Sequence, residues 1–108
     1  MQLSEAILKG AKLRPQTTTK CFKRSDDKQT VSSCVLGAAY EATFGFDNEH
    51  TELSTLEVIE MLKKEYPILS LSRFLANELF TLNDKGQSRE SIAALVKEIE
   101  MEFLKNKK

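Results

Sequence analysis

The pattern of apolar positions is distinctive at residues 33–46, SCVLGAAYEATFGF, where apolar residues cover every side of a helical wheel. Glu41 is the only charged residue in this stretch. In a soluble protein, a helix that is apolar all round is normally buried, with other elements packed on several sides. The pattern therefore predicts a buried central helix at about 33–44, ended by Gly45, around which the rest of the chain is organised.

Four other stretches place apolar residues at the three- and four-residue spacing of amphipathic helices. These predicted helices cover about 3–13, 54–66, 70–82 and 88–105, and Ser72 is the alternative start of the helix that ends at Leu82. Ser4 and Ser88 are predicted N-caps, and Ser54 with Glu57 has the spacing of a capping box. The expected inner faces of the third and fifth helices are Leu56, Ile59, Leu62 and Tyr66, and Ile92, Leu95, Val96, Ile99 and Phe103.

Residues 16–32 differ in character, because strand-forming Thr, Cys, Phe and Val flank a polar, turn-like cluster. We expect a short β-hairpin that pairs about 18–23 with 29–31, and a mobile basic loop is the alternative. The predicted fold is thus mainly α. It is a compact five-helix bundle around the central helix, with a hairpin or loop at about 17–31, in a single domain spanning 1–108.

Composition adds little, since sixteen basic residues balance sixteen acidic ones and the apolar content of 41% is ordinary. The distribution is less even. Residues 9–28 carry seven basic and two acidic side chains, whereas residues 41–60 carry six acidic side chains and no Lys or Arg. Such polarity can steer a charged partner. Alternatively, the two segments lie side by side and neutralise each other.

The first residues, MQLSEAILKGAKL, lack the apolar run and cleavage site of a signal peptide, which predicts a cytoplasmic protein. The central helix is too short to span a bilayer, so no membrane association is expected. In the cytoplasm Cys21 and Cys34 are expected to be reduced. We interpret Cys34 as a core residue and place Cys21 under the hairpin, with a disulfide between them as the alternative.

Residues that could support catalysis are few. His50 is the only histidine, and neither cysteine lies in a recognisable nucleophile motif. The two cysteines and His50 lack the paired spacing of a zinc site, and the four glycines do not form a phosphate-binding loop. We therefore predict no catalytic residues, no metal and no cofactor, and keep a cysteine-dependent enzyme as the third hypothesis.

A nucleic-acid-associated regulator is the second hypothesis. Its basic patch would consist of Lys20, Lys23, Arg24 and Lys28 within the basic segment. Residues 88–95 are similar to the first helix of a helix-turn-helix, but the apolar stripe continues past Leu95 without the required turn. The mixed charges of that helix also match phosphates poorly. Nucleic acid is therefore not the expected partner.

Several apolar residues lie off the main helical stripes. The candidate partner-binding set is Val58, Met61, Phe80, Met101 and Leu104, with Ala94 beside it. If these side chains form one exposed patch, it would mark a protein partner or a dimer interface. Alternatively, they extend the core because the helices pack on two sides.

Short motifs in the chain form an ordered set: Leu3-Ser4-Glu5-Ala6-Ile7, Gly10-Ala11-Lys12-Leu13-Arg14-Pro15-Gln16, Ser33-Cys34-Val35-Leu36-Gly37-Ala38-Ala39-Tyr40-Glu41-Ala42, Leu82-Asn83-Asp84 and Ser88-Arg89-Glu90-Ser91-Ile92-Ala93. The set resembles a group of small uncharacterised bacterial proteins with SEAI, GA-x-L-(R/K)PQ, CALGAA and LND…(T/S)RE-x-IA motifs. This chain departs from the group at Val35, usually Ala, and at Gln87, often aromatic.

The resemblance implies a shared helical fold and no particular activity. The polar residues of its motifs are Arg14, Gln16, Asn83 and Asp84. We expect these to connect the ends of the first and fourth helices, and a ligand pocket is the alternative. The leading hypothesis is a non-enzymatic regulator that binds another bacterial protein, for example by covering the surface of an enzyme, either alone or as a homodimer.

Overall fold

The computed structural model describes residues 1–18, 20–24, 31–45, 54–70 and 74–106. Within these ranges the elements are α1 (Leu3–Ala11), β1 (Phe22–Arg24), β2 (Val31–Ser33), α2 (Val35–Phe44), α3 (Thr55–Glu65), a 3₁₀ turn (Pro67–Ser70), α4 (Leu75–Asp84) and α5 (Arg89–Asn106). The radius of gyration is 13.2 Å, as expected for a compact chain of this length. The prediction of a mainly α fold with a short hairpin is confirmed.

The central helix is α2, and all its residues from Val35 to Glu41 are buried. It contacts α1, α3, α4 and β2. Two glycines permit this close packing. A Cβ on Gly10 of α1 would lie 1.9 Å from the carbonyl oxygen of Ala38, and one on Gly37 would lie 2.1 Å from that of Cys21. The predicted burial of the central helix is thus confirmed, and its neighbours approach its backbone directly.

Three of the four residues predicted to begin or end a helix do so in the structure. Ser54 and Glu57 form the capping box, the Ser88 hydroxyl accepts a hydrogen bond from the Ser91 N–H at 3.0 Å, and Gly45 ends α2 with φ +83°. The prediction for Ser4 is wrong. Gln2 is the N-cap of α1, and Ser4 is buried within the helix.

The hairpin exists, but its register differs from the predicted one. Antiparallel pairs join Phe22 to Ser33 and Arg24 to Val31, so the second strand lies two residues later than expected. Residues 25–30, which connect the strands, lie outside the described part of the chain. The ring of Phe22 packs edge-on against Tyr40 of α2, with ring centroids 6.2 Å apart, which places the hairpin on the central helix.

Two residues of the predicted inner faces are exposed instead. Leu56 is 68% exposed and Leu95 is 41% exposed. In α3 the buried stripe is Val58, Ile59 and Leu62, because α3 presents to α2 a face rotated from the predicted one. The fourth helix also starts later, at Leu75, since the chain after Pro67 first forms the 3₁₀ turn.

Candidate functional site

An open cleft of about 160 Å³ lies between the first residues of α1, the 3₁₀ turn and the last turns of α5. We call it the end cleft. Its apolar lining is Met1, Leu3, Tyr66, Ile68, Phe103 and Leu104. Of these, Met1 and Leu104 are more than half exposed. The end cleft is therefore an apolar depression that solvent reaches.

The apolar surface extends along α5. Met101 is 63% exposed and Leu104 is 53% exposed, and residues three apart lie on the same side of a helix. Exposed apolar residues scattered singly are normal, but contiguous ones mark binding surfaces. Met101 and Leu104 are thus the two members of the predicted partner-binding set that share one surface.

Two carboxylates, Glu65 and Glu100, also line the end cleft, and no Lys or Arg does so among the described residues. Glu100 is 5% exposed. It accepts hydrogen bonds from the backbone N–H of Ser4 at 3.3 Å and from the Ser4 hydroxyl. These bonds hold the carboxylate at the N-terminal end of α1, where the helix dipole favours a negative charge.

The pKa of Tyr66 depends on the burial and the charges around the end cleft. Its hydroxyl lies 2.6 Å from the Thr43 hydroxyl. Burial raises the pKa of Tyr66, and the negative charges of Glu65, Glu5 and Glu100 add to that increase. The three carboxylates are close enough to act on one phenol, so acidic side chains lie beside the apolar lining of the cleft.

The other members of the predicted partner-binding set lie elsewhere. Val58 is fully buried and belongs to the core, so its assignment to an exposed patch is corrected, because α3 turns this residue inward. Phe80 is half-buried against the core. Met61 is exposed, and its sulfur lies 3.6 Å from the Tyr40 hydroxyl. Ala94 is exposed on α5.

The predicted basic patch is only partly described. Lys20 and Lys23 are exposed. Lys28 and the side chain of Arg24 lie outside the described residues. The described residues therefore supply no geometry for a nucleic-acid interface.

The polar residues of the sequence motifs form hydrogen-bond networks between elements. Arg14 pairs with the buried carboxylate of Glu41 at 3.1 Å. The Asn83 side chain is fully buried. Its Oδ1 accepts from the Val35 N–H at 3.0 Å and from Gln16 Nε2 at 3.1 Å, and its Nδ2 donates to the Thr17 carbonyl at 2.7 Å.

Asn83 therefore joins α4 to the segment after α1 and to the start of α2. The neighbouring Asp84 is exposed. Gln16 also donates to the Gln87 carbonyl at 2.6 Å, which connects the same segment to the turn before α5.

Arg89 is a buried polar residue that the sequence reasoning missed. Its guanidinium is 5% exposed and donates to the Ser33 hydroxyl at 2.9 Å, the Ala11 carbonyl at 3.2 Å and the Arg14 carbonyl at 2.5 Å. Among the described residues the Nε atom has no hydrogen-bond partner. Burial lowers the pKa of Arg89. One signal was present in the sequence, because a basic residue in the first turn of a helix opposes the dipole and indicates a tertiary partner.

Cys21 and Cys34 are both buried and reduced. Cys34 is the N-cap of α2, and its sulfur accepts the Gly37 N–H at 3.4 Å. The thiol of Cys21 hydrogen-bonds to Cys34. Burial opposes ionisation of Cys34, but hydrogen bonds from Cys21, Gly37 and Leu36 lower its pKa below the ordinary value. The hydrogen bond to Cys34, together with burial, raises the pKa of Cys21.

Among the described residues, no group of three or more His, Cys, Asp or Glu side chains is placed to hold a metal ion; His50 lies outside the described ranges. No helix in the described part of the chain has the length and apolar character needed to cross a lipid bilayer. Comparison of the chain with protein-family models, with curated proteins and with solved structures finds no match.

Proposed function

We propose that this protein binds another protein and that the end cleft receives one large apolar side chain of that partner. The observation that carries the proposal is the cleft itself, an open apolar depression at one end of the fold with exposed Leu104 at its rim. Interfaces draw most of their binding energy from a few anchor residues seated in such pockets.

The size of the cleft favours a side chain over a small-molecule ligand. Pockets for cofactors and drug-sized ligands typically measure about 300–1,000 Å³. The end cleft, at about 160 Å³, is smaller than that range. A single Leu, Met or Phe side chain suits this volume, and the exposed side chain of Met101 would contact the residues beside it.

The charge of the cleft specifies the chemistry of the partner. Glu65 and Glu100 line it, Glu5 lies close enough to act on the same tyrosine, and no basic residue of the described chain is in the lining. Complementary charge steers association and disfavours wrong partners. The partner segment should therefore present an apolar residue flanked by Lys or Arg, and a helix with one apolar and one basic face is the simplest such segment.

This mode of binding suits a regulator that covers part of an enzyme's surface, which is the biological role we propose. The test uses a matched pair of synthetic helical peptides, one with Leu on one face and Lys on the other, and one with every Lys replaced by Glu. We expect the Lys peptide to bind, with chemical-shift changes at Tyr66, Phe103 and Leu104, and to bind more weakly as salt screens the charges.

The decisive variant is Leu104→Arg, which blocks the apolar rim and adds a repelling charge. We expect it to weaken binding of the Lys peptide by about tenfold or more, or about 1.4 kcal/mol. The matched control is Leu56→Arg, because Leu56 is also exposed but lies on α3 and does not line the cleft. Equal loss in both variants, equal binding of the Glu peptide, or no binding of either peptide would contradict the proposal.

Light scattering on the same variants identifies the partner as a second copy or a different protein. If the unmodified chain is a dimer and Leu104→Arg converts it to a monomer, the cleft holds another copy of this chain. A monomer in both cases leaves the cleft free for the basic, apolar segment proposed here.

A further inference from the structure

Cys21 and Cys34 lie opposite each other at the end of the hairpin. The antiparallel register pairs Phe22 with Ser33, so the next pair along the strands is Cys21 with Cys34. The Cys34 N–H donates to the Cys21 carbonyl at 2.9 Å, which continues that register. Side chains directly opposite each other in antiparallel strands point to the same face with their Cβ atoms about 4.5–5.5 Å apart. The two thiols therefore face each other.

The surroundings of Cys34 favour a thiolate. Its sulfur caps α2 by accepting the Gly37 N–H at 3.4 Å, and the N-terminal end of a helix stabilises negative charge. The buried guanidinium of Arg89 is close enough for a Cys34 thiolate to raise the pKa of Arg89. A helix N-terminus and a nearby Arg are two of the features that lower the pKa of a cysteine.

Arg89 supplies a second and independent observation. It is 95% buried, and its Nε is a buried donor without a hydrogen-bond partner among the described residues. An unsatisfied buried donor requires an explanation, and a redox role is one. A Cys34 thiolate would place negative charge close enough to this guanidinium to act on it.

Cys21 is suited to act as the resolving thiol, which attacks the oxidised Cys34. It remains protonated, because its thiol donates to Cys34 and a charged Cys34 beside it opposes ionisation. Once the charge on Cys34 is lost by oxidation, that opposition ends and Cys21 can release its proton. Redox-responsive sites combine a low-pKa, accessible cysteine with a resolving cysteine, so the buried Cys34 would react when the hairpin opens locally.

We propose that Cys21 and Cys34 form a redox modification site, in which a hydroperoxide oxidises Cys34 and Cys21 then closes a reversible disulfide between the hairpin and the start of α2. This inference is independent of the end cleft, which lies between α1, α5 and the 3₁₀ turn.

The reaction balances in two steps. The Cys34 thiolate attacks one oxygen of hydrogen peroxide, an S–O bond forms, the O–O bond breaks and hydroxide leaves. The Cys21 thiol then loses its proton and attacks the Cys34 sulfur, an S–S bond forms, and the S–O bond breaks. The second hydroxide also leaves, and each hydroxide takes up a proton to become water. Two thiols are oxidised by two electrons in total, and peroxide is reduced to two waters.

Access to these buried thiols requires local opening of the hairpin. The hairpin has only three residues in each strand, and local opening of a small element costs less than global unfolding. Peroxide is also small. After the disulfide forms, β1 is covalently joined to the N-terminus of α2, which we expect to raise the Tm of the protein because the unfolded chain becomes constrained.

The primary test uses the unmodified full chain with hydrogen peroxide under native conditions, beside an unstructured cysteine peptide. We expect the titratable thiols to fall from two to none, with the intact mass lower by two hydrogens, a Cys21–Cys34 linked peptide after digestion, and full reversal by dithiothreitol. Thiols that stay free while the control peptide is consumed would overturn the proposal, as would oxidation of Cys34 to sulfinic acid without a disulfide.

The roles of the two cysteines are separated by trapping sulfenic acid with dimedone. In Cys21→Ser, the adduct should form on Cys34, because no resolving thiol remains. In Cys34→Ser, Cys21 should gain little adduct. Equal labelling in the two folded variants, as checked by circular dichroism, would contradict the assignment of Cys34 as the attacking thiolate, and the experiment on the unmodified chain stands without either variant.

Discussion

Glu100 accepts two hydrogen bonds from Ser4, a residue 96 positions earlier in the chain, through the backbone N–H and the side-chain hydroxyl of that serine. The N-cap of α1, Gln2, makes no side-chain capping bond. The Glu100 carboxylate on α5 therefore caps the N-terminus of α1. It accepts a hydrogen bond from a free backbone N–H and complements the helix dipole. The same contact fixes the first helix to the last one beside the end cleft.

We expect Ser4→Ala to lower the free energy of unfolding by about 1.5–3 kcal/mol, because it removes a hydrogen bond to a buried carboxylate. Urea unfolding followed by circular dichroism measures this change. The control is Ser91→Ala on α5, an exposed serine whose substitution should stay within about 0.5 kcal/mol of the unmodified protein. Similar values for the two variants would show that the Ser4–Glu100 contact adds no stability.

Asn83 provides the second prediction. Its amide satisfies the Val35 N–H at the start of α2, the Thr17 carbonyl and the Gln16 amide. Asn83→Ala removes the partner of two backbone groups, the buried Val35 N–H and the part-buried Thr17 carbonyl. Each unsatisfied buried group costs about 1–3 kcal/mol, so we expect a loss of about 2–5 kcal/mol.

The matched control for Asn83 is Asn77→Ala. Asn77 lies on the same helix and is exposed, so its loss should change the free energy of unfolding by less than about 0.5 kcal/mol. If the two alanine variants unfold at the same urea concentration, the buried network does not stabilise the fold.

The central helix could be predicted from the sequence because its signal is local. Residues 33–44 carry apolar side chains on all sides, and only burial accommodates that pattern. The capping box at Ser54 was predictable for the same reason, since both partners lie within one turn. In these cases the chain itself contains the interaction, and spacing alone identifies it.

The features that the sequence did not predict depend on contacts between residues far apart in the chain. The partner of Ser4 is 96 residues away, and Arg89 donates to groups near residues 11, 14 and 33. The spacing of residues in the sequence does not predict contacts over such distances. Leu56 and Leu95 are exposed for a related reason, because a helical wheel gives the width of an apolar face but not which part of it the neighbouring helices cover.

The same limit applies to the candidate site. Met101 and Leu104 could be singled out because they lie off the main stripe of α5. Their neighbours Met1, Tyr66 and Ile68 come from other elements, and only the packing of α1 and the 3₁₀ turn against α5 brings them into one cleft. Val58 belongs to the same predicted set but lies in the core, which is the alternative that the sequence left open.

Gly10 gives a prediction about the closest helix contact. A Cβ at this position would lie 1.9 Å from the Ala38 carbonyl oxygen, which is backbone and cannot move aside. Gly10→Ala must therefore separate α1 from α2, and overpacking of this kind costs about 1–3 kcal/mol or more. We expect the upper end of that range, measured by urea unfolding.

Gly86→Ala is the informative comparison, because Gly86 has φ +96° and no atom near the position of a Cβ. Its cost comes only from the left-handed backbone and should be about 1–2 kcal/mol. Gly86→Ala should also leave the α1–α2 contact intact, so amide exchange in α1 should increase in Gly10→Ala alone. If amide exchange in α1 stays unchanged in Gly10→Ala, the close contact between α1 and α2 does not stabilise α1.

Tyr66 gives a prediction of pH dependence. Burial raises its pKa above the ordinary value, and Glu65, Glu5 and Glu100 raise it further, whereas in the unfolded chain a tyrosine ionises near pH 10. As the pH rises through about 10, the unfolded state releases the phenolic proton that the folded state still holds. The folded state then binds more protons than the unfolded state, so stability falls as the pH rises through this window.

The measurement compares the unmodified protein with Tyr66→Phe, in which this titration is absent, by urea unfolding at several values between about pH 8 and pH 11. Near pH 8 the variant should be less stable by about 1 kcal/mol, because the Tyr66–Thr43 hydrogen bond is lost. Lysines and cysteines titrate in both proteins, so their effects cancel in the comparison. The stability advantage of the unmodified protein should shrink as the pH rises, and an advantage that stays constant across the range would show that Tyr66 ionises equally in the folded and unfolded chains.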